Sequence, residues 1–197
     1  MNKTFTPHQL INGYLNGYFP MADSDTEEIL WYSPDPRAII PIKTYKEQKS
    51  LRPILNKKKF DIRFNTSFEK IMEGCASLRK DEEGTWISKN IIKNYCTLHQ
   101  LGLAHSVEAF YNNELVGGLY GVALGAAFFG ESMFYKVPNA SKVCFHYLIE
   151  RLKEKKFELL DTQFMNDNVI RFGAIEIPKE EYLIILQEAV CKKVSFI

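Results

Sequence analysis

The chain has no apolar run approaching the roughly 18 residues that a membrane span needs. Residues 1–19 also lack the basic start and apolar stretch of a secretory leader. A cytoplasmic protein that does not enter membranes is expected. An excess of either charge is missing too: 25 Lys and Arg stand against 24 Asp and Glu, a formal net charge of +1. Bulk charge thus excludes a strongly basic nucleic-acid binder, but not a local basic face, because such footprints depend on clustering. Cysteine is sparse. Cys75, Cys96, Cys144 and Cys191 form no C-x-x-C pair, and His8, His99, His105 and His146 are scattered. Neither a metal site nor a disulfide framework is expected, and the thiols read as reduced, packed side chains. There is no internal repeat and no low-complexity tract. Aromatics are plentiful: 14 Phe and 10 Tyr among 197 residues, enough for a large core and for a pocket that stacks or buries something.

Local signals divide the chain. Thr6-Pro7 reads as a helix N-cap with proline at the first helical position. Leu10, Ile11, Tyr14 and Leu15 follow at helical spacing, and Gly17 ends the helix. Residues 19–25 read as a polar loop and 29–32 as a short apolar run. Ser33-Pro34-Asp35-Pro36-Arg37 is an extended turn, since two prolines exclude a helix interior. A strand is expected over 38–42, a helix over 47–55 and a strand over 60–64. Phe68, Ile71, Met72 and Cys75 at i, i+3, i+4 and i+7 predict a helix over 67–78. Ser88 caps another, closed by Gly102.

Residues 105–111, 115–124 and 126–134 are three consecutive strand-like runs, the first two joined by a tight Asn112-Asn113 turn. Gly117, Gly118 and Gly121 mark a bulge or a close approach in the second. A long helix runs from Asn139 or Ser141 to Lys156. A strand over 157–162, a short helix over 166–172 and a final helix from Pro178 complete the chain. This order is α+β, with a mixed or antiparallel sheet and flanking helices. It is compatible with an acetyltransferase-like (GNAT-like) architecture. Acyl-CoA enzymes of that architecture hold a pyrophosphate in a Gly-rich turn at the start of the long helix. Residues 135–142 contain no glycine, which disfavours CoA.

Several strings carry polar groups into apolar surroundings. In Gly130-Glu131-Ser132-Met133-Phe134, strict alternation puts Glu131 and Met133 on one face and Ser132 and Phe134 on the other. Glu131 is then either at an exposed edge or buried with a purpose. Leu159-Leu160-Asp161-Thr162-Gln163 ends an apolar strand with a carboxylate and an amide, a placement that suits catalysis and helix capping equally. Trp86 follows a charged loop and is either core or a platform for a base, the latter worth roughly 1–3 kcal/mol. Lysine runs at 57–59, 153–156 and 192–193 are solvated faces, or a phosphate track if two converge.

Taken together the strings follow one pattern in order: Tyr14-Leu15-Asn16-Gly17-Tyr18-Phe19-Pro20-Met21, residues 31–37, Glu73-Gly74-Cys75-Ala76, Gly84-Thr85-Trp86-Ile87 and Ala104-His105-Ser106-Val107-Glu108, then 115–121, 129–134, 139–142, 161–163 and 173–178. From about Leu10 to Tyr182 the chain resembles bacterial leucyl/phenylalanyl-tRNA–protein transferases. The resemblance implies transfer of Leu or Phe, and weakly Met, from aminoacyl-tRNA to the α-amino group of proteins beginning with Arg or Lys, which creates an N-terminal degradation signal. It implies no cofactor, a monomer, and an acetyltransferase-like catalytic domain over 45–197 behind a small, trimmed N-terminal α/β lobe over 1–44.

The resemblance also assigns residues. Asp161 and Gln163 match the catalytic pair, and Trp86 the residue that stacks on the terminal adenine. Tyr14, Tyr95, Glu131 and Asn166 match polar positions of the site. Leu119, Phe128, Met133, Phe145, Leu148 and Leu160 match the side-chain pocket. Met21 stands where the family has an aromatic stacking residue, and Tyr32 where tryptophan is frequent. The attacking α-amine has an ordinary pKa of about 7.7–8, so no strong base is required. Asp161, oriented by or acting through Gln163, is expected to take a hydrogen bond and then a proton from that amine, while Glu131 holds an ammonium. The alternatives are an acyl-CoA N-acetyltransferase and a non-catalytic binder of charged tRNA or protein N-termini.

Overall fold

The computed structural model describes residues 4–23, 25–26, 28–78 and 87–197. Helix α1 (Pro7–Leu15) opens on a capping box: the Thr6 hydroxyl accepts from the Gln9 amide, and the Gln9 side chain accepts from the Thr6 amide. Strands β1 (Phe19–Ala22) and β2 (Ile29–Tyr32) then pair antiparallel, with Phe19 opposite Tyr32. This corrects the polar loop expected from residue 19. Phe19 and Ala22 are buried, and their order comes from a partner strand that local sequence does not reveal. Strand β3 (Arg37–Ile39) follows the proline turn. The helix expected over 47–55 is only α2 (Arg52–Asn56), with proline in its first turn.

The remaining elements are β4 (Asp61–Phe64), α3 (Phe68–Leu78), α4 (Lys89–Gln100), β5 (Ala104–Tyr111), β6 (Glu114–Leu124), β7 (Ala127–Tyr135), α5 (Ala140–Glu154), β8 (Leu159–Gln163), α6 (Asp167–Arg171), β9 (Ile175–Ile177) and α7 (Lys179–Val190). Asn112 and Asn113 both take positive φ, 51° and 64°, as a two-residue hairpin turn between twisted strands requires. Ser88 Oγ accepts from the Ile91 amide and starts α4. Strand β9 is absent from the sequence reading: three residues, two of them exposed, carry no alternation to detect.

Seven strands form one sheet in the order β4-β5-β6-β7-β8-β3-β9. Every pairing is antiparallel except β7 with β8. The sheet is therefore mixed and the class α+β, as expected, with helices on both faces. One core joins Leu10 and Tyr14 of α1 to Ile71 of α3, Leu98 of α4, Phe129 of β7 and Leu186 of α7. The other joins Phe128 and Leu160 to Phe145 and Leu148 of α5 and to Phe196. Each such side chain stabilises the fold by about 1.5–3 kcal/mol when fully buried. Gly118 lets α3 approach the sheet, since a Cβ there would lie 2.3 Å from Ile71. The start of α3 is capped from β5: buried Glu108 accepts from the Thr66 and Ser67 amides at 2.8 and 2.7 Å, and from the Ser106 and Thr66 hydroxyls. Among the described residues no helix is long and apolar enough to cross a membrane.

Candidate active site

Two irregularities of the sheet create the site. The first is a bulge. Tyr120 of β6 sits opposite Ser132 and Gly121 opposite Gly130, so Glu131 is an extra residue in β7. A bulge re-aims the side chains beside it. Strict alternation would have put Glu131 with Met133. Instead Glu131 turns toward Tyr14 and Tyr95 in the first core, while Met133 packs on the second. The second irregularity is a parting of strands. Strands β7 and β8 pair only from Ala127–Leu159 to Phe129–Asp161. Beyond that, β8 turns at Gln163, a non-glycine residue with φ 68°, which pairs with Ala38 of β3.

A cavity of about 230 Å³ is lined by the two diverging strand ends, α5 and α6. That is below the roughly 300–1,000 Å³ of sites for drug-sized ligands. It is room for one amino-acid side chain. One part of the lining is apolar: Met21, Leu119, Met133, Phe145, Leu148, Leu160 and Val169. The other is polar: Glu131, Ser132, Gln163, Asn166 and Asn168. Five of the six expected pocket residues meet here. The sixth, Phe128, is wholly buried one layer away, stacked on Phe196 at 5.4 Å, and does not line the cavity. Asn166 lines it while its side chain caps α6. The Ser132 hydroxyl is buried with no hydrogen-bond partner among the described residues. Trp86 lies outside the described residues. Tyr32 packs against Phe19 and Phe164.

Glu131 is half-buried, and its carboxylate accepts from Tyr14 Oη at 2.6 Å and Gln163 Nε2 at 3.0 Å on one oxygen, and from Tyr95 Oη at 3.1 Å on the other. The two phenol oxygens also touch, 2.5 Å apart. Burial pushes the Glu131 pKa up. The bonds from Tyr14, Tyr95 and Gln163 oppose that and the Asp161 charge adds to it, for a value of about 7. Tyr14 and Tyr95 are fully buried, and burial beside this carboxylate holds both well above the usual phenol range.

Asp161 differs. It is wholly buried and does not line the cavity. Arg37 Nε and Nη2 donate to its two oxygens at 2.9 and 2.7 Å, Tyr182 Oη at 2.8 Å, and the Gln163 amide at 2.9 Å. Arg37 also donates to the Gly17 carbonyl and lies between the rings of Phe19 and Tyr182, at 4.8 and 4.6 Å. Burial alone would lower the Arg37 pKa. Asp161 outweighs it and holds the guanidinium charged. This geometry departs from the expectation that Asp161 meets the attacking amine: both its oxygens are spent inside the protein, and what it grips is the turn that presents Gln163. Sequence reasoning missed Arg37 and Tyr182. The only local signal is an arginine entering an apolar strand, and its partner lies 124 residues on. The lysine runs are partly neutralised, Lys153 by Glu150 at 2.9 Å and Lys192 by Glu158.

Comparison with known proteins places the chain in a family. Residues 39–187 match the family model described as leucyl/phenylalanyl-tRNA protein transferase, and residues 3–35 match its N-terminal domain. The chain is 48% identical to the leucyl/phenylalanyl-tRNA–protein transferase of Chlorobaculum parvum, covering 95% of this chain and 97% of that one. It is 47% identical to that of Gloeobacter violaceus over 92% of each. Among solved structures it is similar to L-PGS from Bacillus licheniformis, at 12% identity and a TM-score of 0.49 over 81% of this chain and 66% of that one. The match of both family models and the near-complete coverage establish that the chain belongs to the leucyl/phenylalanyl-tRNA protein transferase family.

Proposed function

We propose that this protein moves leucine or phenylalanine from aminoacyl-tRNA to the α-amino group of proteins that begin with Arg or Lys, acting as a cytoplasmic monomer. The mixed lining of the cavity carries the reading. Its apolar lining suits a leucine or phenylalanine side chain, neither branched at Cβ, which gains about 25 cal/mol per Å² on burial. Its polar lining leaves hydrogen-bonding groups for the backbone of the same amino acid. One methylene is worth only about 1–3 kcal/mol of discrimination, so methionine is a minor donor.

The reaction joins an amine to an ester already activated, and most of the acceleration comes from holding the two in line. Asp161 acts through Gln163: it fixes the turn, and the turn sets the amide against Glu131. Trp86 stacks on the terminal adenine, and Met21 closes the mouth of the pocket.

The test is label transfer from radiolabelled leucyl-tRNA to a peptide beginning with Arg, against a peptide beginning with Asp. Label on the Arg peptide alone supports the donor and the acceptor rule together. Label on neither, with tRNA bound and the protein folded, overturns the reading.

A further inference from the structure

Tyr14, Tyr95 and Glu131 form a closed triangle of oxygen contacts: Tyr14 to Glu131, Tyr95 to Glu131 and Tyr14 to Tyr95. Each contact needs one proton between its oxygens. The two phenols supply two. When Glu131 is ionised, one of the three contacts is bare whichever way the hydroxyls turn. When it is protonated, the triangle closes in one sense: Glu131 donates to Tyr95, Tyr95 to Tyr14, and Tyr14 to the other Glu131 oxygen. The array thus has a place for a third proton, and chains of this kind strengthen one another.

We infer that Glu131 is the group that takes the proton from the attacking amine, with Tyr14 and Tyr95 as positioning residues that accommodate it. The inference rests on the transferase reading and deepens it. Glu131 lines the cavity, and Asp161 does not. Among the described residues one Glu131 oxygen has a single donor, Tyr95, and keeps a lone pair for a further proton. In the step, the amine nitrogen forms the C–N bond and the carbonyl electron pair moves to oxygen. A nitrogen proton passes to Glu131. The carbonyl re-forms, the ester C–O bond breaks, and the ribose oxygen leaves with the proton that Glu131 returns. No oxidant and no further reactant is needed.

The surroundings keep Glu131 near the operating range. Tyr14 faces it from α1, Tyr95 from α4 and Gln163 from β8. Asp161 of β8 stands behind with Arg37 of β3, and Tyr182 of α7 bonds to Asp161. Its carboxyl accordingly titrates at about 7, and a base near the working pH serves a proton transfer best.

Two measurements test this. The first is single-turnover transfer from leucyl-tRNA to the Arg peptide between pH 5.5 and 8.5. The amine and Glu131 must both be deprotonated, so the wild-type log rate should fall toward a slope of two at low pH. Glu131→Gln should lose at least about 100-fold in rate, bind leucyl-tRNA as before, and keep only the slope of one that the amine imposes. The second is the carboxyl carbon resonance of Glu131, which needs no transfer activity: it should titrate near neutrality in the wild type and move in Tyr95→Phe and Tyr14→Phe. A Glu131→Gln protein with wild-type rate and slope overturns the inference, as does a Glu131 titrating in the ordinary carboxylate range. A wild type that transfers nothing while Glu131 titrates near neutrality overturns the transferase reading and leaves the proton site standing.

Discussion

Two carboxylates stand side by side at the parted end of β7 and β8, and they are solvated in opposite ways. Asp161 is met by a guanidinium, a phenol and a backbone amide, and its charge is neutralised on the spot. Glu131 is met by two phenols and a primary amide, all neutral. Neutral donors leave both protonation states of the Glu131 carboxylate within reach. The same functional group is therefore a fixed part of the scaffold at one position and exchangeable a few ångströms along the sheet.

The largest effect should come from breaking the closed member. Arg37→Met leaves Asp161 buried without its partner and should cost about 3–5 kcal/mol, read as a drop in the urea midpoint. The double variant Arg37→Met/Asp161→Leu should recover most of that stability. It should not recover transfer, because Gln163 loses the carboxylate that holds its amide. Tyr182→Phe removes one bond to a charged oxygen and should cost about 1.5–3 kcal/mol, with Glu131 still titrating near neutrality. Gln163 sharpens the contrast from the backbone side. At φ 68°, Gln163→Gly should be more stable than Gln163→Ala by about 1 kcal/mol, although both variants lose the amide that reaches Glu131.

The smallest effect separates the carboxylates by pH. The folded-state pKa of Glu131 is raised to about 7, so the folded protein holds a proton that the unfolded chain has released above about pH 4.3. The Glu131 contribution to stability should then fall as pH rises from 5 to 7, opposite to that of His105, whose burial lowers its pKa to about 4, so the decline is read as the difference between wild type and a Glu131 variant. The loss is expected to be on the order of 2–4 °C in Tm, since solvent screens a half-buried group. Glu131→Gln should abolish that decline. A slope unchanged in the variant would place the titrating group elsewhere.

What the sequence makes legible follows the same division between local and distant causes. Helices α3 and α4 and the β5–β6 hairpin announce themselves through periodicity, a serine cap and two asparagines that accept positive φ. The apolar wall of the cavity is legible only through the family resemblance, which assigns Leu119, Met133, Leu160 and, on α5, Phe145 and Leu148; periodicity alone does not single them out. The direction of Glu131 is not legible, since a bulge is a statement about two strands and appears only once β6 is laid against β7. Strand β1 is hidden for that reason as well: Phe19 and Ala22 look like loop until Tyr32 and Ile29 lie opposite them. Arg37 is the extreme case, because nothing within 100 residues of it hints at Asp161.

The bulge in β7 bears on how such a strand tolerates editing. Phe128 and Phe129 on one side of it, and Met133 and Phe134 on the other, each already point into their proper cores. Excising Glu131 would bring Gly130 and Ser132 together and turn two misaligned halves into one regular strand, with no other side chain changing face. The strand pairing would become regular, while Tyr14 and Tyr95 would lose the carboxylate they bond to. The residue proposed to handle the proton is thus carried as a removable insertion, and a one-codon deletion is the change that would most cleanly separate this fold from its chemistry.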